Sequence, residues 1–124
     1  MLKFRASVHG GGGQSTGPLP ITFDAALAAL EILPRLFIEP DGSFVWTGKW
    51  LSGQSWQVDG NLIDRGDCLA RVDLKGSCPQ EQFDQLLRAL GWPAIQLAFQ
   101  LTLRGVLVDE ITFRQLAATA LGAV

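Results

Sequence analysis

The sequence predicts a single α+β domain in which an antiparallel sheet of about five strands carries helices packed on one face. Three observations lead to this fold class. The segments before residue 91 occur in the order strand, helix, four strands and helix. The strand segments alternate apolar and polar residues, whereas Pro79–Leu90 has the longer period of an amphipathic helix. Apolar residues make up 48% of the chain and charged residues 18%, a globular composition for one domain spanning residues 1–124.

The first part of the chain predicts a strand, a loop and a helix. Residues 2–9 alternate between two faces, and the apolar face consists of Leu2, Phe4, Ala6 and Val8. The stretch Gly10–Pro20 predicts a loop, because four consecutive glycines hold regular structure poorly. A helix is then expected to begin after Thr22, a favourable N-cap residue, and to run to Leu33, before Pro34.

The segment after Pro34 predicts a meander of four strands. They are expected at residues 35–39, 43–51, 55–64 and 68–75, separated by turns that contain glycine. Gly48 is expected to mark a bulge, and Asp59-Gly60 leaves open a hairpin turn that would split the third strand. The inward face of the last strand is predicted to carry Cys68, Ala70, Val72 and Leu74.

A second helix and a C-terminal extension complete the prediction. The helix covers Pro79–Leu90 and stops at Gly91, and its buried stripe is Phe83, Leu86, Leu87 and Leu90. Residues 95–103 predict a further strand. Asp109 is expected to cap a last helix that reaches Leu121 and directs inward Phe113, Leu116, Ala117 and Ala120.

The order strand, helix, four strands, helix is similar to that of the TATA-binding-protein-like fold. The similarity covers element order and no residue motif. The alternative architecture is a helix-grip or cystatin-like sheet wrapped on a helix. Because fold does not determine function, neither architecture assigns an activity.

Composition makes several classes of function less favourable. The formal net charge is −2 and there is no basic run, which disfavours binding to nucleic acid or to an anionic membrane. No apolar run has the length of a membrane span, and the first residues do not resemble a signal peptide. The two cysteines are therefore expected to be free thiols in a cytoplasmic protein.

The motif search predicts no catalytic residue, no cofactor and no metal site. Ser15 and Thr16 follow the glycines, but Gln14 stands where a phosphate-binding loop needs lysine. His9 is the only histidine, and no serine elbow accompanies it. Cys78 directly precedes the second helix, whose dipole favours a thiolate, so a thiol-dependent enzyme is kept as the third hypothesis.

Two candidate sites remain, and both concern binding. Trp46, Trp50 and Trp56 lie on one predicted strand face, where they either fill the core or line a small-ligand pocket between sheet and helices. The opposite sheet face mixes charged residues with large apolar ones, and the candidate contacts are Phe37, Val45, Leu51, Arg71 and Lys75. The leading hypothesis is a non-catalytic domain that binds a protein partner or a second copy through this face, unless residues 95–124 cover it.

Overall fold

A computed structural model describes residues 1–12, 15–119 and 121–123 of the chain. Within these residues the fold is α+β, with an open antiparallel sheet of eight strands and three α-helices. The strands are β1 (Leu2–Gly12), β2 (Ser15–Gly17), β3 (Leu36–Ile38), β4 (Ser43–Lys49), β5 (Ser55–Asp64), β6 (Leu69–Cys78), β7 (Leu97–Leu101) and β8 (Leu107–Asp109). The helices are α1 (Phe23–Glu31), α2 (Gln80–Ala89) and α3 (Glu110–Ala118), and a 3-10 turn spans Leu121–Ala123.

The strand order is β3-β4-β5-β6-β1-β7-β8, and β2 pairs with the end of β1. The predicted class and the antiparallel sheet are confirmed, but the expected number of about five strands is too low. The five expected strands correspond to β1 and β3–β6, and the further strand expected at residues 95–103 is β7; β2 and β8 were not predicted. The C-terminal strand β7 pairs along β1 from Ala6↔Leu101 to Gly10↔Leu97, so it extends the sheet rather than covering it.

The prediction of a loop over Gly10–Pro20 is wrong at its beginning. Strand β1 continues to Gly12 and forms a ladder with β2, while Gly13 and Gln14 lie outside the described residues. The physical reason is close backbone approach, because a Cβ atom on Gly10 would lie 2.3 Å from the carbonyl oxygen of Pro18. The glycines therefore allow the backbone of the neighbouring chain to approach β1 closely, and they do not end β1.

The three helices lie on one face of the sheet, and their apolar sides form the core with the inward side chains of the strands. Four phenylalanines at its centre join two strands, β1 and β7, to two helices, α2 and α3: Phe4, Phe83, Phe99 and Phe113. The Phe99 and Phe113 rings are stacked with centroids 4.4 Å apart. The predicted stripe of α2 is confirmed, because Phe83, Leu86, Leu87 and Leu90 are all completely buried.

The helix boundaries follow the predicted capping residues closely. The Thr22 hydroxyl accepts a hydrogen bond from Ala25 N–H at 3.1 Å, and the Asp109 carboxylate accepts one from Thr112 N–H at 2.8 Å. Helix α1 ends at Glu31, two residues before the predicted Leu33, with Ile32 as its C-cap. Of the inward positions predicted for the last helix, Phe113 and Ala117 are buried, Leu116 is half-buried, and Ala120 lies outside the described residues.

Strands β4 and β5 are continuous across both of their glycines. Gly48 pairs in register with Trp56, and Gly60 pairs with Phe44, so neither the predicted bulge nor the alternative hairpin forms there. Each glycine lies beneath the aromatic ring of its cross-strand partner: a Cβ on Gly60 would be 2.0 Å from Phe44 Cζ. The glycines leave room for the rings, which cover the exposed backbone in return.

The inward face predicted for β6 needs a correction. Leu69 is completely buried, whereas Cys68 and Ala70 are only half-buried; Val72 and Leu74 are buried as expected. The pairing register between β5 and β6 shifts at Ile63/Asp64, and Leu69 exchanges backbone hydrogen bonds with Leu19 and Ile21. A register shift of one residue exchanges the two faces of a strand, which accounts for the difference.

Candidate functional site

The uncovered side of the sheet, called the open face below, is the largest candidate surface. It follows from the cross-strand register, because residues directly opposite each other project to the same side. Its members include Lys3, Arg5, Ser7, Phe37, Val45, Thr47, Gln57, Asp59, Asn61, Arg71, Asp73, Lys75 and Gln100. Of the described C-terminal residues, β7 and β8 lie in the sheet and α3 packs on the helical face. Thr102 borders the open face beside Arg5 and Ser7, and Asp59 and Lys75 stay exposed.

The apolar end of the open face is formed by Phe37 and Val45. They are direct cross-strand neighbours on β3 and β4. The Phe37 side chain is 72% exposed and that of Val45 is 40% exposed. An exposed phenylalanine beside an exposed valine places apolar surface in water next to the edge of the sheet, which is typical of a contact surface.

Charged residues of both signs occupy the rest of the open face. Across the strands one row runs Val45, Asp59, Lys75 and Arg5. Asp59 accepts a hydrogen bond from Gln57 Nε2 at 2.9 Å. In the next row Asp73 accepts from Ser7 Oγ at 2.7 Å and pairs with Arg71 Nε at 3.0 Å. This ion pair is about 40% exposed and contributes little to stability, so its charges are available for recognition.

The structure brings together most of the residues predicted for the interaction face, with one exception. Phe37, Val45, Arg71 and Lys75 lie on the open face. Leu51 does not lie on a strand, because β4 ends at Lys49 and residues 51–53 form the turn to β5. Leu51 is fully exposed in that turn, and a role for it in binding stays a prediction.

The tryptophan trio divides into a pair and a single residue. Trp46 and Trp56 are buried in a T-shaped arrangement with ring centroids 5.1 Å apart, and Trp46 Nε1 donates to the Pro34 carbonyl at 2.9 Å. Trp50 follows β4 and is only half-buried. It lines a separate depression together with Lys3, Gln54 and Ala117. The sequence pattern thus correctly predicted that Trp46 and Trp56 lie on the face of the sheet that the helices cover.

A small cleft lies between the Trp46–Trp56 pair and helix α2. Its volume is about 230 Å³, and Pro34, Gln82 and Gln85 contribute to its walls. Pockets for drug-sized molecules usually enclose roughly 300–1,000 Å³. This cleft is below that range, whereas the depression lined by Trp50 has about 320 Å³ and another lined by Trp56 has about 470 Å³. Binding of a small ligand by the tryptophans stays a prediction.

Cys78 lies at the end of β6, opposite Leu2, and its side chain is completely buried. Burial raises the pKa of the Cys78 thiol to about 12, and the nearby Arg114 guanidinium offsets only part of that rise. The pKa shift is opposite to the one expected from a position before a helix, because desolvation outweighs the dipole. The thiol is protonated at neutral pH, and the thiol-enzyme hypothesis gains no support from its environment.

We expect a thiol reagent such as Ellman's reagent to modify Cys68 in the folded protein and Cys78 only after unfolding. Cys68 is half-buried, whereas Cys78 is enclosed and its pKa is raised. The folded state holds the Cys78 proton more tightly than the unfolded chain, so this group's contribution to stability falls as the pH rises from about 9 towards 12. Rapid labelling of a Cys68→Ser variant at neutral pH, without denaturant, would contradict this account.

A cluster around Arg114 was missed at the level of sequence. Its guanidinium pairs with Asp84 at 2.7 Å and with Glu110 at 2.6 Å, and it lies 5.1 Å from the Trp92 ring centroid. Trp92 Nε1 also donates to Glu110 at 3.2 Å. The i, i+4 spacing of Glu110 and Arg114 was a usable signal. These contacts tie α2, α3 and the intervening loop together, which is a structural role.

Within the described residues, no group of three or more His, Cys, Asp or Glu side chains is arranged to hold a metal ion. In the same part of the chain, no helix is long and apolar enough to cross a membrane. Comparisons with protein-family models, with curated proteins and with solved structures find no match to this chain.

Proposed function

We propose that this chain is a non-catalytic protein-interaction domain, and that its contact surface centres on Phe37 and Val45, the apolar end of the open face. One observation carries the proposal: Phe37 is 72% exposed although it lies within a regular strand beside a second exposed apolar residue. Large aromatic side chains at the centre of an interface commonly supply most of its binding energy. The surrounding charges then fix orientation and exclude wrong partners.

The partner that we propose is a second copy of the chain. The row Val45, Asp59, Lys75 and Arg5 contains both signs of charge within one surface. A two-fold interface brings the same patch of each copy together, so a surface that joins two copies must be self-complementary. A face with one acidic and two basic positions beside an apolar pair meets this requirement. Small-ligand binding by the tryptophans is the alternative, and thiol-dependent catalysis at Cys78 ranks after it.

We expect the paired substitutions Phe37→Asp and Val45→Asp to weaken self-association by more than about tenfold, because each places a carboxylate where the interface needs apolar surface. Sedimentation velocity over a range of concentrations measures the association. Both side chains are exposed, so the monomer should keep its circular dichroism spectrum. Its thermal stability should fall somewhat, because the two new carboxylates lie in one cross-strand row with Asp59.

Ile111→Asp is the matched control. Ile111 is also a large exposed apolar residue, 66% accessible, but it lies in the first turn of α3 on the helical side of the sheet. The control should associate like the original chain. A chain that is monomeric at every concentration, or a paired variant that associates as strongly as Ile111→Asp, would contradict the proposed function.

A further inference from the structure

Strand β3 forms one edge of the sheet, and its backbone presents unpaired groups there. Thr47 N–H donates to the Arg35 carbonyl at 3.3 Å, and Glu39 N–H donates to the Ser43 carbonyl at 2.9 Å. Backbone direction alternates along a strand, so residues 35, 37 and 39 face β4 while Leu36 and Ile38 face away from it. Leu36 N–H is used by the Leu33 carbonyl at 3.2 Å. The Ile38 N–H and the carbonyls of Leu36 and Ile38 remain at the free edge.

The charges at this edge are arranged symmetrically about Phe37. Arg35 precedes the strand and Glu39 follows it, and both are exposed. Neither takes part in an ion pair within the described residues. In an antiparallel pairing of two β3 strands centred on Phe37, Arg35 of each copy stands opposite Glu39 of the other. The same register puts Leu36 opposite Ile38 and Phe37 opposite Phe37.

The backbone groups agree with this register. In antiparallel sheets, hydrogen-bonded pairs alternate with pairs that exchange no hydrogen bonds and whose side chains lie closer. Across the edge, the Ile38 N–H of each copy would donate to the Leu36 carbonyl of the other, which gives two hydrogen bonds in all. Leu36 N–H stays bonded to the Leu33 carbonyl, so the Ile38 carbonyl remains exposed to water. Phe37 and its counterpart would form the close pair between them, so their rings and the two Val45 side chains become one apolar cluster on the joined open face.

We propose that two copies of this chain join through β3, antiparallel and centred on Phe37, to form one continuous sheet across a two-fold axis. The inference rests on the proposed function for self-association and for the role of Phe37 and Val45. It places the contact at the edge of the sheet rather than face to face, so the charged row Asp59, Lys75 and Arg5 lies outside the pairing strands. Pro34 and Pro40 bound the pairing segment, and proline has no N–H to extend a ladder. The backbone pairing is thus limited to Leu36–Ile38. Arg35, in a turn conformation with a φ of 64°, and Glu39 flank it.

Charge reversal at the two ends of β3 tests the register. Arg35→Glu alone, or Glu39→Arg alone, places like charges opposite each other at both ends of the pairing. Each single variant should weaken the dimer by about tenfold, and the double variant should restore it. Arg35 has a φ of 64°, a conformation that is unfavourable for arginine and glutamate alike, so the monomer should keep its stability. Sedimentation velocity distinguishes the 13.4 kDa chain from a species of twice that mass.

The outcomes separate this inference from the proposed function. Loss of the dimer in both single variants and its recovery in the double variant would support pairing through β3. A dimer that is insensitive to both reversals, yet disrupted by Phe37→Asp with Val45→Asp, would overturn the edge geometry while leaving the interaction surface in place. A dimer weakened by one reversal but not restored in the double variant would overturn the register. A strictly monomeric chain would overturn both proposals.

Discussion

Replacing Phe83 by alanine is expected to lower the free energy of unfolding by about 3–5 kcal/mol, the range for truncating a buried phenylalanine. Phe83 is completely buried on α2. Its ring lies within 5.1 to 6.3 Å of the ring centroids of Phe4, Phe99 and Phe113. The Arg114 guanidinium lies 5.2 Å from the same ring. The substitution therefore leaves a cavity where α2, α3 and the sheet meet, and it removes the aromatic surface beneath a half-buried cation.

Urea unfolding followed by circular dichroism measures this loss, with Gln85→Ala as the control. Gln85 is on the same helix but exposed, so its replacement should change the free energy of unfolding by no more than about 0.5 kcal/mol. Typical domains are stable by about 5–15 kcal/mol, so the Phe83 variant should lose a fifth or more of the free energy of unfolding. A loss below about 1 kcal/mol would mean that α2 does not pack on the aromatic core.

Gly76→Ala is expected to destabilise the fold by about 2–5 kcal/mol, because the new methyl group meets two penalties together. Gly76 has a φ of 142°, a backbone conformation that residues other than glycine rarely adopt. A Cβ there would also lie 2.1 Å from the Gln57 carbonyl oxygen, a backbone atom of β5. Gly76 pairs with Phe4 on one side and Val58 on the other, so the clash cannot be relieved without separating central strands.

Gly17→Ala provides the comparison for that variant. Gly17 also lies in a strand, but no heavy atom lies within 4 Å of the Cβ position and its φ is unexceptional. The control should lie within about 1 kcal/mol of the original chain, on either side. Equal thermal stability of the two alanine variants would show that the close approach at Gly76 is absent in solution.

Much of the fold could be predicted because local patterns and tertiary packing agree along most of the chain. The 3.6-residue period of α2, the capping residues Thr22 and Asp109 and the alternation in β1, β4 and β5 all correspond to observed elements. Strand β2 was not predictable, because Gly10 and Gly11 of β1 allow a close backbone approach to it that only the folded chain contains. The inward face of β6 was mispredicted because a register shift leaves no mark in apolar alternation.

The candidate site was predictable as a set of positions but not as an environment. Alternation alone predicted that Phe37 and Val45 lie on the open face, because successive side chains of a strand point to opposite faces of the sheet. Sequence could not tell whether Cys78 faces solvent or the core, and this decides the direction of its pKa shift. The Arg114 cluster depends on how α3 returns to α2, a long-range arrangement that no local pattern encodes.

The position of β1 at the middle of the sheet has a consequence for how the chain folds. Short β2 pairs only with its end, and its two long neighbours come late in the sequence: Ser7 contacts Asp73, 66 positions further on, and His9 contacts Gln100, 91 positions further on. During synthesis, most of the backbone of β1 therefore stays unpaired, and its apolar side chains stay exposed, until β6 and β7 have been made. Contacts between residues distant in sequence form slowly, and until they form an apolar strand is exposed. A nascent chain that is arrested before β7 should therefore aggregate readily and bind chaperones.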